Sequence, residues 1–231
     1  WALRLVGRRA TPRLQARLGM APGLERQLHW SRVFLPAELD ALAVEPLPGE
    51  EALAELYAPL AARWVERAAA DPVNARLGTD LDLFLPGDLI PKVDRMSMAH
   101  SLEVRVPYLD HAVTDLVLPL PGRCKAGLRE GKLLLRRVAG DVLPAPVAGR
   151  RKQGFDVPVA AWLRGPLREP LGDLLGEARV RRRGLWRPDA VAGLVREHLD
   201  GTRDHGEKLW CLLALEGWMC AALDREPGGA A

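Results

Sequence analysis

The chain is poor in several things, and each shortage narrows what it can be. Its 231 residues include three cysteines, Cys124, Cys211 and Cys220. The number is odd and no two of them form a CxxC pair. A disulfide scaffold and a cysteine zinc site are therefore not expected, and a reducing, cytoplasmic setting is. No uncharged run approaches the roughly 18 residues that a membrane-spanning helix requires. Residues 1–9 alternate apolar and basic side chains, without the continuous apolar stretch of a secretory signal. A dominant charge is missing too, since 33 Lys and Arg stand against 30 Asp and Glu. With aromatics at only 5%, that near-balance gives nucleic-acid binding little footing. Arg179 and Arg181 to Arg183 form the one dense basic run. A solvated helix end accounts for it better than a phosphate-binding patch.

Strand signals are also wanting. There is no alternating run enriched in β-branched residues, no βαβ rhythm and no repeat of fixed period. The hydrophobic content of 48% nonetheless excludes a wholly disordered chain and is ample for a core.

The periodicities present are helical, and the expected fold class is mainly α. Short amphipathic segments at 14–18 and 24–28 are broken by Pro12 and by Pro22-Gly23. A Pro/Gly-rich loop at 45–50 leads into a long helix over 51–69, ended by Asp71-Pro72. Thr79-Asp80 reads as a helix N-cap, followed by Leu81 to Leu85 and then Pro86-Gly87. Over 89–102 the apolar residues Leu89, Val93 and Met96 share a helical face, with Lys92, Asp94, Arg95 and Ser97 largely off it. Further helices are expected at 110–118, 132–139 and 208–223. The stretch 142–149, with Pro144 and Pro146, should be extended or turn-like. Trp210 and Trp218 are expected in the core of the terminal helix, and 226–231 as a frayed tail.

Generic motifs are unhelpful. GxGxxG, HExxH and GxSxG are absent, and the run from Gly127 to Leu133 fails as a phosphate loop. It has one residue too few between its glycines, and Leu133 replaces the magnesium-binding hydroxyl. His198 and His205, near Asp200, Asp204 and Glu207, are expected in a surface loop rather than a metal site, because Gly201 and Gly206 interrupt a helix there.

Two segments are more specific. One runs from Leu85 to His111 and contains Lys92-Val93-Asp94-Arg95-Met96-Ser97 and Glu103-Val104-Arg105-Val106-Pro107-Tyr108-Leu109-Asp110. The other is Leu143-Pro144 followed by Arg150-Arg151-Lys152-Gln153-Gly154-Phe155-Asp156-Val157-Pro158, with Gly131-Lys132 and Arg136 in between. In order and spacing they resemble the C-terminal half of the synthetase domain of glutamine-dependent asparagine synthetases. Glu207-Lys208-Leu209-Trp210 and Glu216-Gly217-Trp218 are similar to that family's terminal helix. The resemblance is strongest over 80–159. Before Asp80 there is only a family-compatible helical character.

The resemblance implies the helical C-terminal portion of an α/β, PP-loop ATPase-type synthetase domain. Residues 1–225 would belong to it, with 226–231 as the tail. It implies ATP and Mg2+ in the full-length parent, none of them intrinsic to this chain. A substrate carboxylate, aspartate by default, would attack the α-phosphate to give an acyl-adenylate and pyrophosphate. Ammonia released from glutamine would then displace AMP. Lys152 matches the family's Arg-x-Lys-x-x-Phe lysine, whose mobile ammonium suits charge that moves from phosphoryl to tetrahedral centre. Lys92, Asp94 and Arg95 form a second tier. One or two of them would point at a nucleotide or pyrophosphate cleft, or Asp94 and Arg95 would join Glu103 and Arg105 in a buried ion-pair network. His100 and His111 hold family-like positions but serve packing or surface.

The family's Ser-Gly-Gly-x-Asp-Ser pyrophosphate loop, its second Gly-rich acidic segment and its N-terminal cysteine nucleophile do not occur in these residues, which open on Trp1. The expectation is a C-terminal piece. Its partners would be the N-terminal remainder of its own polypeptide, small-molecule substrates and a second copy, but neither nucleic acid nor membrane. Alone it should be inactive, and unstable or self-associating. Two alternatives stand beside this: a non-catalytic helical interaction module, and a relative acting on another carboxylate, as in β-lactam or peptide cyclisation.

Overall fold

The computed structural model describes residues 20, 23–127, 130–150, 154 and 157–224. In chain order its helices are α1 (Leu24–Ser31), α2 (Pro36–Leu42), α3 (Glu50–Ala70), α4 (Pro72–Thr79) and, after a π-helical stretch Asp80–Leu89, α5 (Ile90–Met98). A 3-10 turn at Pro107–Leu109 precedes α6 (His111–Val117), α7 (Gly122–Lys125), α8 (Leu133–Val142) and α9 (Ala145–Ala148). Five more follow: α10 (Val159–Arg164), α11 (Arg168–Leu174), α12 (Glu177–Arg183), α13 (Pro188–Leu199) and α14 (Gly206–Ala222). Among the described residues there is no strand, only isolated bridges at Ala43–Trp186 and Ala126–Gly131. The mainly helical expectation therefore holds.

The described residues divide into two compact units, one built mainly from 23–30, 51–127 and 130–150, the other from 31–50 and 157–224. In the first, Asp71 organises a junction. It stops α3 and caps α4, its Oδ1 accepting from the N–H groups of Val73 at 2.8 Å and Asn74 at 3.1 Å. Pro72 fills the first helical position, where a missing N–H costs nothing. The other carboxylate oxygen accepts from Gly122 N–H at 2.7 Å, tying in the start of α7. A Cβ on Gly122 would collide with Val73 Cβ and Asp71 Oδ1, so the approach requires glycine. Lys125 completes the joint, donating to Asn74 Oδ1 and to the Leu118 carbonyl, each at 2.8 Å.

Beyond α4 the structure corrects the expected cap at Thr79-Asp80. Thr79 is the buried last residue of α4, and its hydroxyl donates back to the Ala75 carbonyl at 3.1 Å. Asp71 has already capped this helix, and the chain continues past Pro86-Gly87 by winding wider. Ile90 N–H reaches the Leu85 carbonyl, five residues back. Residues 142–149 also differ from expectation. Pro144 caps α9 and Pro146 sits in its first turn, the part of a helix that tolerates proline. Much apolar surface of this unit stays uncovered: Met96, Leu102, Tyr108, Leu116 and Val142 are each more than 60% exposed.

The second unit has the larger buried core. Leu42, Leu163, Leu171, Leu175, Val180, Val191, Leu209 and Leu212 form one cluster, with Leu163, Leu171, Val191 and Leu209 fully buried. Each such side chain contributes about 1.5–3 kcal/mol relative to exposure. Three of its helices, α10, α11 and α13, went unanticipated, and of α12 only the basic end was expected. The terminal helix α14 is where it was expected, but Trp210 and Trp218 are 40% and 58% exposed. Its core face is carried instead by Leu209, Leu212, Glu216 and Met219, spaced three or four apart.

Candidate active site

The sequence-derived site residues fall in two places. Lys92, Asp94 and Arg95 lie on α5, all exposed. Helical spacing puts Lys92 and Arg95 on neighbouring faces, with Asp94 turned well away from Lys92. Lys92 Nζ donates to Asp88 Oδ1 at 3.2 Å, one turn back along the chain. The buried network with Glu103 and Arg105 does not form. Those two pair with each other at 2.6 Å while 68% and 86% exposed, because the extended chain after α5 leaves both in solvent. Among the described residues, no hydrogen bond or ion pair engages the side chains of Arg95 and Asp94. Lys152 lies outside the described residues, as do its neighbours Arg151 and Gln153.

Val157 and Pro158 border a cavity of about 750 Å³ in the second unit. The opposite wall is the start of α14, with Asp204, His205, Gly206, Lys208 and Trp210. Lys208 is held there by Glu38 of α2, at 2.6 Å, and lies over the Phe34 ring. A Cβ on Gly206 would come within 3.1 Å of Ala160, so α10 and α14 touch at this point.

Beneath this cavity is a polar network that corrects the surface-loop expectation for His198 and His205. His198 is fully buried and His205 is 7% exposed. Val191, Leu194, Val195 and His198 share one face of α13, so the helix runs on to Leu199 and carries the imidazole inward. Its Nδ1 accepts from His205 N–H at 3.2 Å and its Nε2 bonds the Ala160 carbonyl at 3.2 Å. Burial and the nearby Arg164 hold its pKa below the ordinary histidine value. His205 Nε2 meets Glu197 Oε2 at 2.7 Å, and that bond keeps the Glu197 carboxyl below its usual range.

A third cluster joins α12 to α14. Arg183 donates to Glu216 and Asp224, and Cys220 lies beside them. The basic run is thus a helix end, as expected, yet Arg183 itself is 18% exposed and not solvated. Glu216, Cys220 and Asp224 bring ligand-type atoms within 4.8 Å of one another, a spacing that could hold a metal. The Arg183 guanidinium already supplies the cation there, so the cluster is an ion-pair clamp. Sequence reasoning missed it, although a carboxylate at Glu216 inside the apolar run Leu212 to Trp218 signals a buried partner.

The asparagine synthase family model matches residues 4–220, well ahead of the strongest sequence resemblance at Asp80. The chain is 31% identical over 155 residues to the glutamine-hydrolysing asparagine synthetase 1 of Bacillus subtilis. It is 37% identical over 156 residues to a protein of Mycobacterium bovis provisionally named as a glutamine-hydrolysing asparagine synthetase. Each alignment covers 67% of this chain but 24% of the relative, so the chain spans about a quarter of their length. An amidase of Gibberella zeae is 30% identical over 111 residues, 43% of this chain and 16% of its own. No solved structure matches. No described helix is long and apolar enough to cross a membrane. With most of the chain inside the matched span, the chain belongs to the asparagine synthase family.

Proposed function

We propose that this chain is the helical C-terminal part of the synthetase domain of a cytoplasmic, glutamine-dependent amidotransferase. Residues 1–225 belong in this account to one α/β, PP-loop-type domain, and 226–231 are its tail. The observation that carries the proposal is the family match over 4–220, within which the Arg150 to Pro158 motif falls. The pyrophosphate loop and the glutaminase come from a segment N-terminal to these residues. The exposed apolar side chains of the first unit, Met96, Leu102 and Leu116 among them, support this, because apolar surface left in water calls for a covering layer.

A carboxylate oxygen of the substrate, aspartate by default, attacks the α-phosphorus of ATP, and the bond to the bridging oxygen of pyrophosphate breaks. Ammonia then attacks the acyl carbon, loses a proton and expels AMP. The residues assigned here have separate tasks. Lys152 stabilises negative charge first on the α-phosphoryl oxygens and then on the tetrahedral centre, which a flexible ammonium can follow. Lys92 and Arg95 suit phosphate oxygens, and Asp94 is the companion carboxylate for a cationic or hydroxyl group of substrate. Mg2+ accompanies the nucleotide, and this chain is assigned no ligand to it.

A second reading within the same chemistry has a carboxylate other than aspartate as acceptor; one relative is named an amidase rather than an asparagine synthetase. A panel of carboxylates in ATP–pyrophosphate exchange tests both, using the full polypeptide or this chain co-expressed with its N-terminal remainder. Exchange that requires aspartate supports the default. Exchange that requires another carboxylate moves the assignment there, and no exchange with any, from a folded protein, removes the enzymatic reading.

A further inference from the structure

The His198 ring joins three helices at one point. It belongs to α13, bonds the Ala160 carbonyl in the first turn of α10, and accepts the His205 N–H at the start of α14. Because a main-chain N–H can only donate, Nδ1 must be the unprotonated nitrogen, and Nε2 carries the proton given to Ala160. Both of these partners, Ala160 and His205, line the 750 Å³ cavity. The imidazole is therefore a fastener in the floor of that cavity and has no exposed surface of its own.

Charging this ring would place a proton on Nδ1. There it would oppose the His205 N–H at 3.2 Å and the Arg164 Nη2 at 3.4 Å, both donors. Arg164 cannot swing away freely, since its Nε donates to the His198 carbonyl at 2.8 Å. Asp204 Oδ1, 3.4 Å from Nδ1, favours the charged form. It is 65% exposed, and that same oxygen accepts from Gly206 N–H at 2.9 Å, which weakens its pull. Glu197, from α13 itself, is engaged by His205. The groups facing the ring thus oppose a second proton more than they invite one.

We propose that His198 is a pH-sensitive latch: its neutral ring clips the start of α14 to α10 beneath the cavity, and protonation releases the α14 side while the Ala160 bond stays. The cavity wall from Asp204 to Gly206 then loosens under mild acid, so anything bound there is held less well. This goes beyond the proposed amidotransferase chemistry and does not depend on it.

The sign follows from linkage. A ring kept neutral when folded but free to charge when unfolded makes the unfolded state bind more protons, so stability falls as pH drops below about 6.5. One such group raises the unfolding equilibrium constant by up to tenfold per pH unit. The test uses the full polypeptide, or this chain co-expressed with its N-terminal remainder, with His198→Gln, which gains no proton, and His205→Gln as a control. Nitrogen NMR should show the His198 ring neutral at pH 7 with Nε2 protonated. The His205 amide should lose protection against exchange, corrected for intrinsic rate, between pH 7 and 5. Wild type and His205→Gln should share that acid sensitivity, and His198→Gln should be nearly flat. A ring already doubly protonated at pH 7, unchanged His205 protection down to pH 5, or the same slope in His198→Gln would each overturn the latch. Should His198→Gln not fold, the wild-type NMR titration still decides.

Discussion

Arg183 grips Glu216 with two prongs, Nε donating to Oε2 at 3.1 Å and Nη2 to Oε1 at 2.9 Å. Glu216 is 5% exposed on the core face of α14, and Arg183 is the last residue of α12. Burial pushes the Glu216 carboxyl up, but the bonds from Arg183 and Cys220 outweigh it and the net shift is down. Asp224 is lowered as well, chiefly by its bond to Arg183. The clamp therefore fastens two helices by charge in a place where either charge alone would be costly.

Removing the cation should unfasten it. Arg183→Leu leaves Glu216 buried without its main partner, so the melting temperature falls at pH 7. Carboxylates held low contribute stability that is present above their unfolded range, about pH 4, and is lost as pH falls through their folded values. The difference between wild type and Arg183→Leu should therefore shrink on acidification toward pH 3. Melts from pH 7 to 3 check this; a gap that widened in acid would contradict the clamp.

The core of the second unit gives the clearest packing prediction. Leu163→Ala removes a fully buried side chain from the cluster with Leu171 and Leu209 and should cost about 2–5 kcal/mol. Val157→Ala, at a residue 54% exposed, should stay within about 0.5 kcal/mol. Urea unfolding monitored by helical circular dichroism separates the two.

Gly122 is a close-approach glycine rather than a turn glycine. Gly122→Ala forces a methyl into Val73 and the Asp71 carboxylate, an overpacking of about 1–3 kcal/mol. Asp71 is held below its usual carboxylate range, first by the Gly122 N–H. The same substitution should move the Asp71 titration upward, which carboxyl-carbon NMR reads directly.

Much of this architecture was legible from local pattern. Asp71-Pro72 announced a helix boundary, and the apolar spacing of the terminal segment announced α14. Within 159–199 only the basic end of α12 was legible, because α10 to α12 are pieces of six or seven residues. Gly165, Gly176 and Gly184 punctuate them, and their apolar residues face a shared core rather than forming one long stripe. His198 was misplaced for a similar reason. The glycines after it suggested a loop, whereas the spacing from Val191 through Leu194 and Val195 already set it on a buried face. Trp210 and Trp218 show the reverse error, in which large apolar side chains were assigned inward although helical phase turns them outward. Of the site residues, Lys92, Asp94 and Arg95 are exposed on α5, while Lys152 falls outside the described residues. Its role rests on the motif and on family membership.

Lys152 is also where the account is most directly exposed to test. The measurement is carboxylate-dependent ATP–pyrophosphate exchange by the full polypeptide, wild type against Lys152→Ala, with folding verified by circular dichroism. Loss of a charge stabiliser at the reacting centre should lower exchange on the order of a hundredfold or more, about 2.7–4 kcal/mol. Exchange that proceeds at the wild-type rate in folded Lys152→Ala would contradict the assignment.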